Sequence, residues 1–302
     1  MIGSKILVMK RDESPDILKK HPCFSKEAHH KFGRIHLPVA PSCNIQCRYC
    51  IRKYDCANES RPGITSMVLS PENALERIRI LLDRNENITV IGIAGPGDPL
   101  ANEATFETLG AINREFPEII LCVSTNGLLL PDRLHDLLRA GVRSLTITIN
   151  AVSLETAEKI YAWVKYNGIN YKGREVAEHL LFNQQIGLKN AVEAGLAVKV
   201  NTVFIPGIND KDIPSIASLA GEKGANIMNI IPLIPQADFS HLQRPSHEMI
   251  GRMRLECGKY ILQMTHCRQC RADAFGVLGE DRDMELEMLN AKIGDDYCEM
   301  VL

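Results

Sequence analysis

Six short runs rich in β-branched and apolar residues recur along the chain: Ile35 to Ala40, Ile88 to Ala94, Ile119 to Thr125, Ser144 to Asn150, Val198 to Ile205 and Asn226 to Leu233. Between them lie segments with helical spacing. The clearest is Pro71 to Asp83, where Leu75, Ile78, Leu81 and Leu82 share one face, Ser70 caps the start and Pro71 takes the first helical position. Others run over about Asn102 to Glu115, Pro131 to Ala140, Leu154 to Val164, Arg174 to Ala194 and Lys211 to Glu222. Such alternation predicts an α/β fold with a parallel sheet and right-handed crossovers. Six units fit a partial (β/α)6 barrel better than a complete eight-unit one, with a doubly wound open sheet as the alternative. Residues 1–30 and 236–302 fall outside the repeat and read as N- and C-terminal extensions on a core over 31–235, the latter helical around Met249 to Met264. No linker-like or low-complexity tract interrupts it.

The chain has 302 residues, 45% of them apolar, enough for one large core. Lys plus Arg number 35 against 37 Asp plus Glu, a net charge of −2. That balance leaves no positive surplus for phosphates or anionic lipid, so neither nucleic acid nor membrane is an expected partner. No run approaches about 18 consecutive apolar residues, and the amino terminus turns charged too soon for a secretory signal. A cytoplasmic location is expected. Ten cysteines are then too many for disulfides, and several are closely spaced, which points to metal or redox chemistry.

Cys43, Cys47 and Cys50 form a C-x3-C-x2-C run directly after the first strand. Three thiolates without a close fourth suit a cubane iron–sulfur cluster with one open iron, whereas zinc would need a fourth ligand from Cys56 or a His. A run of this kind after the first strand of a six-unit β/α core resembles the radical S-adenosylmethionine (SAM) superfamily. The resemblance implies a partial barrel of that type and a 4Fe-4S cluster on the three cysteines, with SAM chelating the open iron. One electron would then cleave SAM to methionine and a 5′-deoxyadenosyl radical. It further implies that Tyr49 lies beside the adenine and that the turn Gly95, Pro96, Gly97, Asp98 contacts the methionine amine. Glycines do let such a turn approach a ligand closely, and the turn matches neither the dinucleotide nor the P-loop pattern. Ile205, at the end of the fifth strand, is counted with these SAM contacts.

Period-two alternation sets Thr146, Thr148 and Asn150 on one strand face, Cys122 and Ser124 opposite Leu121 and Val123, and Lys199 and Asn201 opposite Val198 and Val200. A barrel interior with this many polar residues is costly unless it holds a ligand, so the lumen is the candidate active site. Ser124, Asn126, Asn150 and Asn201 are candidates for hydrogen bonds to SAM, the alternative being a self-satisfied polar network. By the same count His36 points into the lumen, beside Cys122, as a candidate ligand rather than a packed core histidine.

The remaining cysteines include a C-x2-C pair, Cys267 and Cys270, whose other readings are a redox pair or half a zinc site. Cys23, Cys56, Cys122, Cys267 and Cys270 with His36 make six ligands, three for each of two further cubanes. Glu59 could lend an oxygen. Cys257, within a helical pattern, and Cys298, near the end, are not counted. The stretches His21-Pro-Cys-Phe-Ser, Gly33 to Pro41, Cys56 to Gly63, Cys122 to Gly127, Val200 to Val203, Pro206 to Asp210 and Cys267 to Ala274 extend the resemblance over about Lys20 to Gly276. Together they resemble the nitrogenase cofactor biosynthesis family.

That resemblance implies three 4Fe-4S clusters. Two of them are fused, with an added sulfur, into an 8Fe-9S-C cluster whose carbide comes from a SAM methyl group, while a second SAM supplies the radical. The product is a precursor of the iron–molybdenum cofactor. It implies Cys23 and Cys56 near His36, Cys267 and Cys270 on the second cluster and Cys122 serving either. It also implies an electron donor, an iron–sulfur donor, an anaerobic or oxygen-protected cytoplasm, and a separate carrier or scaffold protein, because the appended carrier-like domain of longer members is not expected here. The competing readings are a radical SAM maturase with permanent auxiliary clusters and a non-enzymatic iron–sulfur carrier.

Overall fold

The computed structural model describes residues 14–60, 63–280, 282, 284 and 286–288. Cys298 and the whole tail after residue 288 lie outside them. Two short helices, α1 (Ser14–Lys20) and α2 (Lys26–Lys31), lead into β1 (Gly33–His36) and β2 (Ile45–Cys47). The alternating units follow as α3 (Pro71–Asp83), β3 (Ile88–Ile93), α4 (Glu103–Glu115), β4 (Ile120–Thr125), α5 (Leu130–Arg139) and β5 (Val142–Thr148). Next come α6 (Leu154–Ile160), β6 (Tyr161–Tyr166), β7 (Ile169–Tyr171), α7 (Arg174–Glu193), β8 (Ala197–Phe204), α8 (Asp212–Glu222) and β9 (Ile227–Pro232). The chain then adds α9 (His247–Cys257) and β10 (Phe275–Val277).

Seven strands form one sheet in the order β10-β1-β3-β4-β5-β8-β9, parallel throughout except for β10. From β1 to β9 the order never reverses. A doubly wound sheet must reverse to place helices on both faces, so this sheet instead keeps its helices on one side and curls into a half-barrel. The packed side carries Ile35, Ile91, Leu121, Leu145, Val198 and Met228 from the strands against Ile78, Leu109, Leu137, Leu188 and Ile216 from the helices, all fully buried. Burying such side chains contributes about 1.5–3 kcal/mol each, which makes this layer the main source of stability. The opposite face, carrying Arg34, His36, Cys122, Ser124, Thr146 and Lys199, lines the lumen.

The structure departs from the sequence expectations in four places. The first strand ends at His36 rather than Ala40, because Pro38 lacks the N–H that would extend the ladder; Ala40 makes only an isolated bridge to Pro96. The helix expected over Leu154 to Val164 stops at Ile160, and Tyr161 to Tyr166 is a strand. Its aromatic and β-branched residues pair antiparallel with β2, Ile45 opposite Val164 and Cys47 opposite Tyr161, and a tight turn at Asn167 and Gly168 returns the chain as β7. The helix expected over Met249 to Met264 ends at Cys257, and the chain doubles back so that Met264 N–H donates to Met228 O at 2.8 Å along β9. The last departure is β10, whose three residues are too few to show a period; it covers the open edge of β1. The other five expected lumen strands agree with the structure to within two residues at either end.

Candidate functional site

Two adjoining cavities open on the lumen. The smaller encloses about 440 Å³ and is lined by Cys43, Cys47, Cys50, Tyr49, Arg52 and Cys56 from the segment after β1, and by Asp98, Ser124, Thr125, Asn126 and Thr148 from the strand ends. Cys47 is fixed as the last residue of β2, held against Tyr161 of β6. Gln46 Nε2 then donates to the carbonyls of Cys47 (2.9 Å) and Cys50 (2.8 Å), and Cys50 N–H donates to Cys47 O (3.0 Å), which closes the loop around the three sulfurs. Among the described residues no three His, Cys, Asp or Glu side chains close on a single-ion position. Thiols standing around a cavity, rather than converging on one point, fit a group larger than one ion. Burial pushes the Cys43 thiol up to about 12 and holds Cys47 and Cys56 well above the usual thiol range, so a metal loaded here displaces protons.

The residues expected at SAM divide in the structure. Tyr49, Gly97, Asp98, Ser124 and Asn126 line the smaller cavity. Tyr49 is almost wholly buried; its hydroxyl donates to Asn58 Oδ1 (2.5 Å) and accepts from Asn150 Nδ2 (2.7 Å). Asn150 therefore orients Tyr49 from behind. Gly95 and Pro96 lie in the turn, which is tied to the cysteine loop by Ala40 N–H to Gly95 O (3.3 Å), Gly97 N–H to Ala40 O (2.5 Å) and Asp98 N–H to Ser42 O (2.8 Å). Ile205 is packed in the cluster that also buries Cys47 and Tyr49, and Asn201 faces the larger cavity. Asp98 accepts from Asn126 N–H (2.6 Å), Leu100 N–H (3.0 Å) and the Thr125 hydroxyl (2.9 Å). Burial outweighs these donors and pushes its carboxyl up to about 6.

The larger cavity encloses about 620 Å³ and brings together Cys23, His36, Cys122, Cys267 and Cys270. Three strands supply the row His36, Gly92, Cys122 in register, and with no side chain on Gly92 the imidazole and the thiol face one space. Cys23 comes from the turn between α1 and α2, and Cys267 and Cys270 from the segment after α9. That segment is stitched to β1. Arg34 Nη2 donates to Cys270 Sγ (3.1 Å) and Nη1 to Gly276 O (2.6 Å), while His36 Nδ1 lies 3.0 Å from Arg271 O. A carbonyl can only accept, so Nδ1 carries a proton, and in the neutral ring this leaves Nε2 with the lone pair that a metal ligand needs. Cys56, expected beside Cys23 and His36, lies instead on the wall of the smaller cavity. Cys257 is buried in the helical layer, away from both cavities. Glu59, Ala94 and Ser124 line both cavities and form the partition between them.

Sequence reasoning did not single out Arg34, Asn58 or Asn229. Arg34 was within reach of the period-two count, since it shares a strand face with His36; Asn58 and Asn229 carried no local signal.

A half-barrel with a three-cysteine loop after its first strand defines a class, and comparison agrees: the radical SAM superfamily model matches residues 37–220, and the chain belongs to that superfamily. The superfamily is one of 4Fe-4S and SAM proteins. Within it the chain falls in the family of the FeMo cofactor biosynthesis protein NifB. It is 46% identical over 273 residues to that protein of Methanocaldococcus infernus, covering 90% of each chain. It is 47% identical over 278 residues to that of Klebsiella pneumoniae, covering 90% of this chain but 59% of the relative; the chain thus spans about three fifths of the longer relative's length. Streptococcus suis SuiB shares the fold, with a TM-score of 0.57 at 12% identity over 88% of this chain and 58% of that one. No helix among the described residues is long and apolar enough to cross a membrane.

Proposed function

We propose that the chain is a radical SAM enzyme that fuses two 4Fe-4S substrate clusters, with a SAM-derived carbide and an added sulfur, into the 8Fe-9S-C precursor of the nitrogenase FeMo cofactor. The observation that supports it best is the pair of cavities sharing the Glu59 and Ser124 partition, a three-cysteine cavity on one side and a Cys/His cavity on the other. Cys43, Cys47 and Cys50 would hold the resident cluster, and Tyr49, set by Asn58 and Asn150, would orient SAM. When bound, that cluster supplies the electron that cleaves SAM, and SAM supplies the methyl carbon. Cys23, His36, Cys122, Cys267 and Cys270 would hold the substrate clusters, with Glu59 reaching them from the partition, while Cys56 stands on the wall of the smaller cavity. Too few strong ligands for two fully ligated cubanes suits substrates that must react and leave. The product would pass to a separate carrier or scaffold, NifX- or NifEN-like, and an electron donor and an iron–sulfur donor would complete the partners.

The division of labour between the cavities gives the test. Cys47→Ala is expected to abolish SAM cleavage. His36→Ala is expected to leave cleavage to 5′-deoxyadenosine largely intact while the 8Fe cluster no longer forms, read by product chromatography and electron paramagnetic resonance. Equal loss of cleavage in both variants would contradict the assignment.

A further inference from the structure

Lys199 sits in the middle of β8 and is only 6% exposed. Its ammonium faces the larger cavity and makes no hydrogen bond and no ion pair within 4.0 Å among the described residues. The titratable groups that face it from the packed elements are the Cys23 thiol on the N-terminal arm, the Glu59 carboxyl on the partition, the Cys267 thiol on the C-terminal arm and the Cys122 thiol on β4. None of them closes on it. Glu59 directs Oε1 to Asn201 Nδ2 at 2.5 Å instead. A buried cation without a partner is among the costliest features a fold can carry, and such groups persist where a ligand completes them.

A second orphan stands beside it. Asn229 on β9 is buried, lines the same cavity and leaves both its Oδ1 and Nδ2 without a partner; Asn201, its register neighbour on β8, leaves Oδ1 unpartnered. Neither an ammonium nor a carboxamide is a ligand iron prefers, so these groups are not extra corners of the Cys/His set. They ask for a ligand that is anionic and accepts hydrogen bonds on its flank. A thiolate-bound iron–sulfur cluster is such a ligand, with net negative charge and sulfides that accept N–H donors.

We propose that Lys199, with Asn229 beside it, is the anion-recognition element of the larger cavity, holding the negatively charged iron–sulfur substrate by countercharge and N–H···S donation from the wall that carries no cysteine. This rests on the larger cavity receiving iron–sulfur substrate. Lys199 is then a binding residue for the substrate rather than for SAM. It lets the cavity capture a cluster with fewer thiolates than a permanent site needs.

The test is an anaerobic titration of a synthetic thiolate-ligated [4Fe-4S] cluster into protein whose Cys43, Cys47 and Cys50 site is already loaded, followed by iron content and cluster absorbance. Lys199→Gln is expected to weaken uptake on the order of tenfold or more. Its first-site iron and circular dichroism should match the wild type, and Lys199→Arg should recover most of the affinity. Equal uptake by wild type and Lys199→Gln would overturn the assignment. So would a Lys199→Arg protein no better than Lys199→Gln, because charge would not be what the position supplies. Should Lys199→Gln lose its first-site iron, Asn229→Leu decides by the same comparison: weakened uptake supports the assignment and wild-type uptake overturns it. A wild-type protein that takes up no cluster beyond the first would overturn the reading of the cavity, and this assignment with it.

Discussion

Gly92 has no side chain where it faces His36, and a methyl group there would stand 3.0 Å from His36 Cδ2. The ring has little room to yield, since its Nδ1 is held by Arg271 O. Gly92→Ala is therefore expected to reproduce the His36→Ala phenotype, cluster fusion impaired and SAM cleavage retained, in a protein whose far-ultraviolet circular dichroism is unchanged. Asp98 offers a second single-residue test. Its carboxylate collects donors from the Asn126 and Leu100 amides and the Thr125 hydroxyl, so the Asp98→Asn side chain would turn an amide group toward donors. A loss of about 1–3 kcal/mol in urea denaturation is expected, with weaker SAM binding because the turn at Gly97 moves. At this scale the sequence was most legible where chemistry is rare. Cysteine spacing pointed to the Cys43, Cys47 and Cys50 loop and to the Cys267 and Cys270 pair, and strand parity pointed His36, Cys122 and Ser124 into the lumen, where they line the cavities. Arg34, Asn58 and Asn229 stayed hidden because a buried polar residue shows no pattern of its own; only its partners, distant in the chain, reveal it. Cys56 went to the other cavity because the fold of its loop, not its spacing, decides which wall it joins.

The small sheet β2-β6-β7 is the element that the helical reading of Leu154 to Val164 overlooked, and it bears directly on the site. Tyr161 of β6 pairs with Cys47, so the hairpin sets one of the three cluster thiols. Its turn uses Asn167 and Gly168, both with positive φ (50° and 79°), a pair that was legible as an Asn-Gly hairpin signal. The helical pattern prevailed because Ile160, Val164 and their neighbours satisfy both periods over so short a stretch. Gly168→Val forces a β-branched residue into the left-handed region and is expected to cost about 1–2 kcal/mol. If the hairpin positions Cys47 as described, the same variant also loads less iron at the first site under limiting iron; undiminished loading would show that β2 holds Cys47 without it. The long, strongly periodic elements, α3, α4, α7 and the lumen strands, were read from pattern alone, because burial of one face against one sheet leaves the pattern unambiguous.

Across the whole molecule, an unreversed strand order leaves one face of the half-barrel to the helices and gives the other to two cavities with a common wall. The arms before β1 and after α9 complete that arrangement, supplying Cys23, Cys267 and Cys270 to a cavity whose floor is the sheet. Neither arm has a repeat that sequence periodicity could detect, and β10 forms only because the sheet edge is there to pair with. On the function proposed above, one cavity carries a resident cluster while the other receives two substrate clusters. Anaerobic reconstitution with iron and sulfide, with iron per chain and SAM products measured in one sample, tests it most directly. About twelve irons, with both S-adenosylhomocysteine and 5′-deoxyadenosine formed, is the expected result. About four irons and no SAM turnover would contradict it.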